Sequence, residues 1–176
     1  MRGSICFGLI LGILLSFFFL VPNIAAQESA TIQATATVLS AITVVGQNNL
    51  MFETVIPGIN KTVDKATVGR AGAFQVNGKE SAEITLDLTL PDSLHIDSTA
   101  AMRIGFSNTD ASYDDGSGGG QTVPQGIINP NGPVTQTLGL TGQLNIWVGG
   151  TVSPNITQTG GDYAADIRLT VAYTGN

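Results

Sequence analysis

Strict alternation of apolar and polar residues is the sequence feature that most restricts how this chain can fold. Between Tyr163 and Tyr173 every second residue is apolar or aromatic. A period of two places such residues on one face of a β-strand, because successive side chains point to opposite sides. The stretch Leu144–Val148 alternates in the same way, and the turn-forming cluster 158–162 separates the two stretches. Residues 144–173 are therefore predicted to form a closing β-hairpin with one face in a core.

The same alternation recurs along most of the chain and predicts an all-β fold. A long, half-buried strand is expected at 30–38, with a kink near residue 39. Shorter strands are expected from residue 50 to a stop at Pro57-Gly58, and at 66–68, 73–76, 84–90, 102–106 and 134–140, with Asn77-Gly78 as the turn of a hairpin. Lys, Glu and Arg, which favour helices, are scarce. We therefore expect about seven to nine strands in an immunoglobulin-like antiparallel β-sandwich.

Residues 1–26 have the features of a secretory signal peptide. Residues 5–21 are almost wholly apolar, and Pro22 precedes the small-residue sequence Ile24-Ala25-Ala26. The alternative is a transmembrane anchor, since the apolar run approaches the length that spans a bilayer. The terminal position, the proline and the small residues favour cleavage. We expect residues 27–176 to form one secreted domain, which is long enough to bury a core.

Composition argues against several kinds of chemistry and partner. The single cysteine, Cys6, lies in the expected signal peptide, so the mature chain is predicted to contain neither disulfides nor reactive thiols. With Arg2 removed, 6 Lys and Arg remain against 13 Asp and Glu. This acidic, charge-poor composition argues against nucleic acid and against anionic membranes as partners.

A long loop rich in Gly, Pro and Asp is predicted at 108–133. It exceeds usual connection lengths, which suggests a functional, flexible or inserted segment. Its carboxylates include Asp110, Asp114 and Asp115. Their spacing resembles the first half of a calcium loop, but Gly116 falls one place late and Gln121 stands where a bidentate Glu would close the site. A solvated loop is the preferred interpretation, and calcium is the one cofactor hypothesis.

Trp147 and His95 are the other residues whose chemistry could carry a site. Trp147 falls on the opposite parity from its apolar neighbours, so it lies either on an outer face, as a sugar-stacking or subunit contact, or in the other face of a core. His95 is the only histidine and lacks the partners that a zinc site or a catalytic triad needs. With no nucleophile–base pair in view, we predict that the protein is not an enzyme.

Three groups of segments resemble a known family. They are 72–78 with 82–86, Leu50-Met51-Phe52 with Pro57-Gly58, and 148–152 with 161–163 and 169–173. Together they resemble a family of signal-bearing bacterial proteins known as a domain of unknown function, number forty-four-oh-two. That family is similar to the major subunits of common-pilus fimbriae. The resemblance implies an immunoglobulin-like sandwich, a periplasmic, extracellular or cell-surface location in a bacterium, and a pilin-like role. It supplies no catalytic residues.

The predicted N-terminal strand is the main candidate for function. Its apolar face consists of Ala30, Ile32, Ala34, Ala36 and Val38. One interpretation makes it the domain's own first strand. In the other, as in pilin-like subunits, it enters a groove of a neighbouring subunit. We predict a secreted structural or adhesive surface protein that binds copies of itself or other surface subunits. The alternative is a monomeric module that binds carbohydrate through 108–133 and Trp147.

Overall fold

A computed structural model describes residues 28–36, 38 and 40–175. The expected signal peptide, residues 1–26, lies outside these ranges. The chain divides into two units, Met1–Thr37 and Val38–Asn176. No helix in the described part of the chain has the length and hydrophobicity needed to cross a bilayer.

The second unit is built from antiparallel β-strands. The strands are β1 (Thr43–Asn48), β2 (Lys61–Val63), β3 (Gly72–Asn77), β4 (Glu83–Thr89), β5 (Ser93–His95), β6 (Ala101–Gly105), β7 (Ala111–Asp114), β8 (Gly126–Ile128), β9 (Val134–Thr137), β10 (Gln143–Val148), β11 (Gly150–Ser153) and β12 (Arg168–Tyr173). The first sheet has the order β1-β3-β10-β7-β8, the second β2-β11-β6-β5 and the third β12-β4-β9. The predicted all-β antiparallel sandwich is confirmed, with more and shorter strands than expected.

Apolar residues of the first and third sheets form the larger core. On β4 and β10 the buried residues alternate with less buried ones, as the sequence pattern predicts. Ile84 and Leu86 of β4 pack in one cluster with Leu144, Ile146 and Val148 of β10. Burial of each such side chain stabilises the fold by about 1.5–3 kcal/mol. The two sheets are therefore held together mainly by hydrophobic burial.

A smaller apolar cluster lies against the second sheet. It contains Phe52, Val63, Met102, Ile104 and Val152, together with Ala71. Phe106 packs against both clusters. The two cores therefore meet inside one unit.

One long strand links the first and second sheets through Gly149. β10 pairs with β3 and β7, and β11, which begins one residue after Gly149, pairs with β2 and β6. A Cβ atom on Gly149 would lie 2.5 Å from the Val63 carbonyl oxygen and 2.7 Å from the Lys65 nitrogen. Only glycine lets the neighbouring backbone approach this closely.

The two predicted hairpins are wrong, although their strands exist. β10 belongs to the first sheet and β12 to the third, so residues 144–173 do not form a closing hairpin. The chain around Asn77-Gly78 likewise passes from β3 in the first sheet to β4 in the third. Of the predicted strand 163–173, only Arg168–Tyr173 is regular; Ala164 forms an isolated bridge with His95.

Three further predictions of local structure are corrected. Residues 50–58 and 66–68 do not form strands, because they lie in irregular and turn structure. The predicted long loop at 108–133 contains β7 and β8, which pair with each other, so only the connection between them is irregular. In contrast, the strands expected at 73–76, 84–90, 102–106 and 134–140 are confirmed to within a few residues at their ends.

The segment 28–36 does not form the expected half-buried strand. Its residues have no regular structure and are exposed. Ile32 and Val38 are each 93% exposed. The alternation of this segment is thus not used for burial in the described residues.

The close approach at Gly149 predicts opposite effects for two glycine substitutions. We expect Gly149→Ala to lower the free energy of unfolding by about 1–3 kcal/mol, since a methyl group must displace backbone atoms. Gly105 of β6 has open space around its Cβ position. Gly105→Ala should therefore leave stability unchanged or raise it by about 0.4–1 kcal/mol. Urea denaturation of both variants measures the difference, and equal effects would contradict the assigned role of Gly149.

Candidate binding groove

A groove of about 1120 Å³ opens into the region where the two cores meet. One wall consists of β1 and the chain that follows it to Pro57, and the other consists of residues 158–167. Its floor is apolar and includes Phe52, Phe74, Leu94, Met102, Ile104, Val148 and Val152. The floor residues are thus members of both hydrophobic clusters or of their margins.

On the inner face of β1, Gly46 lines the groove, and Val44, outside the groove, is partly exposed. Val44 pairs with Val76 and therefore shares its face of the sheet. Val44 is 36% exposed, whereas Val76 is 0% exposed. Gly46, which pairs with Phe74, has no atom within 4 Å of its Cβ position. Among the described residues β1 pairs only with β3, so its other edge has unpaired backbone groups.

The opposite wall is a strap formed by residues 158–167, which run ahead of β12. The backbone nitrogen of His95 donates to the Ala164 oxygen, and the Ala164 nitrogen donates to the His95 oxygen, each at 2.9 Å. The Tyr163 hydroxyl donates to the Thr159 carbonyl at 2.8 Å and also contacts the Gln158 side chain. These bonds hold the strap against the second sheet and away from β1.

The end of the unit from which β1 starts is closed. The Tyr173 hydroxyl donates to the Ser40 carbonyl oxygen at 2.9 Å and accepts from the Lys79 backbone nitrogen at 2.8 Å. Ile42 and Tyr173 pack on the larger core. We call this closed end, made of residues 40–42, 78–79, 138–142 and Tyr173, the base.

The rim of the groove is acidic. Glu53, Asp162 and Asp166 are among its lining residues. Glu53 pairs with Arg70 at 3.0 Å, and both side chains are about half exposed, so this ion pair contributes little to stability. An uncharged or basic occupant fits this rim better than an acidic one.

The acidic residues proposed for calcium serve another purpose. Asp114 is 2% exposed, and its carboxylate accepts backbone hydrogen bonds from Gly116 at 2.6 Å, Gly118 at 3.3 Å and Gly120 at 2.7 Å. This carboxylate therefore organises the glycine-rich connection between β7 and β8.

The other two candidate carboxylates also face donors from the chain. Asp110 accepts from the Ser107 nitrogen at 2.7 Å. A side-chain hydrogen bond with Ser117 holds the pKa of Asp115 below its ordinary value. Over the described ranges, no group of three or more acidic, His or Cys residues is placed to hold a metal ion.

Trp147 lies on the outer face of the first sheet, on the side away from the groove. It is half-buried and pairs with Ala73 and Ser112. Ile127, which pairs with Ser112, is on the same face and is exposed. Trp147 is thus not part of the apolar groove, and its outward parity agrees with the sequence pattern.

Sequence reasoning missed the groove, and its partner-strand candidates lie outside it. The partner-strand candidates Ala30, Ile32, Ala34, Ala36 and Val38 are all exposed. None of the groove residues was singled out as binding, because the groove is formed by segments far apart in the sequence. Gly46, which follows the apolar residues of β1, is the one local sequence feature that could have indicated the groove. Glycine in a strand often marks a place where another backbone can approach closely.

Comparison with known proteins adds no family to these observations. No protein-family model matches the chain, and a search among curated proteins likewise finds no match. The resemblance described above therefore stays a prediction.

The Asp114 hydrogen bonds predict a large effect for a small change. Asp114→Asn replaces one acceptor oxygen by a donor that faces backbone N–H groups, so we expect the free energy of unfolding to fall by about 1–3 kcal/mol. Asp87, exposed on β4, provides the control, and Asp87→Asn should change stability by less than about 0.5 kcal/mol. Thermal denaturation with and without added calcium checks both points. A calcium-dependent rise in the unfolding temperature that disappears in Asp114→Asn would contradict this assignment.

Proposed function

We propose that this protein is a secreted structural or adhesive surface subunit whose copies assemble by strand exchange. Residues 30–38 of one copy enter the groove of the next and complete its core. The observation that carries the proposal is the groove with an apolar floor at the end of β1, a strand whose outer edge pairs with no other strand among the described residues. The resemblance to pilin-like subunits implies the same type of assembly.

The strand end in one wall of the groove supports an extended occupant. Gly46 and Asn48 of β1 are among the lining residues, and β1 pairs with no strand but β3 among the described residues. An added strand bonds to such an edge through its main chain and places alternate side chains in the groove.

The chemistry of residues 29–41 agrees with this role. The segment contains no charged residue, which suits an apolar floor and an acidic rim. Its alternation would direct the apolar residues at 30, 32, 34, 36 and 38 into the groove and leave the residues between them in solvent. Full burial of Ile32 and Val38 would contribute about 1.5–3 kcal/mol each.

Carbohydrate binding is the alternative proposal. It would use the half-buried Trp147 and the connection between β7 and β8, which lie outside the groove. Glycan-array binding by an assembly-deficient variant would favour this alternative.

The parity of the N-terminal segment predicts which substitutions abolish assembly. In the full-length secreted protein, Ile32→Asp with Val38→Asp would place two charges in the apolar groove, so we expect assemblies to be lost. Both side chains are exposed, so the folded unit should keep its stability. The matched control, Thr31→Asp with Thr35→Asp, adds the same charge on the solvent-facing parity and should still assemble. Size-exclusion chromatography and electron microscopy give the readout. Equal behaviour of the two variants, or assembly after deletion of residues 27–38, would contradict the proposal.

A larger side chain at Gly46 should fill part of the groove and block an inserted strand. Gly46→Leu would place a side chain over the floor next to Phe74, where open space is present, and should yield folded protein that does not assemble. Gly105→Leu, at an open position outside the groove, is the control and should assemble normally. Circular dichroism verifies that both variants are folded. Normal assembly of Gly46→Leu would show that the groove is not the acceptor.

A further inference from the structure

Three exposed isoleucines form an apolar tip at the end of the unit opposite the base. They lie on two loops that are joined by a hydrogen bond from the Gly58 nitrogen to the Asn155 oxygen at 3.1 Å. The tip consists of Ile56, Ile59 and Ile156. Neither loop, 54–60 nor 154–158, contains a charged residue. Clustered exposed apolar side chains of this kind mark an interaction surface.

The topology fixes the positions of tip and base. Gln143 at the start of β10 lies beside the base, and the end of β11 at Ser153 leads directly into the tip loop. The residues between them span roughly 30 Å along the strand at about 3.3 Å per residue. Leu140 is in the turn just before β10 and Ile156 follows β11, and each is 85% exposed. The two most exposed aliphatic side chains of residues 40–175 thus lie at opposite ends.

The groove lies near the tip. Its lining includes Pro57 and Pro154, which belong to the two tip loops, and includes no residue of the base. The base is closed by the hydrogen bond between Tyr173 and Ser40. In the proposed exchange, a strand from another copy enters the groove at its tip end.

The chain length between the inserted segment and the base restricts where the donor must lie. Ser40 is part of the base, and Val38 is the last residue of the proposed inserted segment. Two residues extend over about 7 Å at most. A donor whose segment enters at the tip must therefore hold its base close to the tip of the acceptor.

We propose that the isoleucine tip of one copy packs against the base of the next copy, with Ile156 close to Leu140. This inference rests on the proposed strand exchange and adds a second contact to it. Leu140 of the base and the three isoleucines of the tip are exposed, so contact removes aliphatic area from water. Because tip and base are different surfaces, copies that are joined in a row by this contact are arranged head-to-tail.

Disulfide trapping tests the proposed contact. Leu140→Cys and Ile156→Cys are combined in the full chain, with Cys6→Ser in every variant to remove the one natural cysteine. After mild oxidation we expect a ladder of cross-linked oligomers on a non-reducing gel. An equimolar mixture of the two single variants should stop at dimers, because each chain then has one cysteine. The control pair, Leu140→Cys with Val123→Cys, uses another exposed side chain and should give at least roughly tenfold less trimer, since it lacks the high effective concentration of a bound neighbour.

The possible results separate this inference from the proposed function. A ladder specific to Leu140 and Ile156 supports both. Assemblies visible by electron microscopy without that ladder would overturn the tip-to-base contact and leave strand exchange in place. Absence of assemblies from the unaltered protein would overturn both.

Discussion

The structure depends on one strand that serves two sheets. From Gln143 to Ser153 the chain passes from the first sheet into the second, and Gly149 permits this by letting the Val63 carbonyl approach where any side chain would stand. The inward side chains of this strand contribute to both hydrophobic clusters. The groove floor contains Val148 and Val152 from either side of Gly149. The same feature that joins the sheets therefore also shapes the buried floor of the groove.

The uncovered edge of β1 is unusual for a protein that acts alone. Exposed edge strands are normally protected by charges, prolines or bulges, because their free backbone groups pair with other chains. β1 has the sequence TVVGQN, without charge or proline, and its one irregularity lies between Gly46 and Asn48 at its end. The free backbone N–H and C=O groups along most of the outer edge of β1 can therefore pair with another strand.

Local pattern predicted the strands of this protein better than their partners. Alternation on β4 and β10 reflects burial of one face, and it could be read from the sequence because burial acts on each side chain separately. Pairing depends on which segments meet in space, so Leu144–Val148 and Arg168–Tyr173 were correct as strands but wrong as a hairpin. Segments 30–38 and 84–90 look alike in sequence, yet only the second is a strand among the described residues.

The groove could not be predicted from the sequence. Its walls come from residues 46–57 and 158–167, which are far apart in the chain, and the space between them depends on how far the fold separates them. For the acidic loop the sequence favoured solvation over calcium, and it did not indicate that the oxygens of Asp114 accept hydrogen bonds from the N–H groups of Gly116 and Gly120.

In the proposed assembly, the position of the N-terminal segment determines the form of the product. The segment leaves the unit at the base, whereas the groove lies near the tip, so in a row of copies the base of each donor would meet the tip of its acceptor. Such an interface either closes into a ring or continues as an open fibre, depending on the rotation between neighbours. Each added copy would then present an empty groove at one end and use its segment at the other. In this proposal, growth follows from the placement of Ser40 and Tyr173 at the base, and the isoleucines at the tip would orient the next copy.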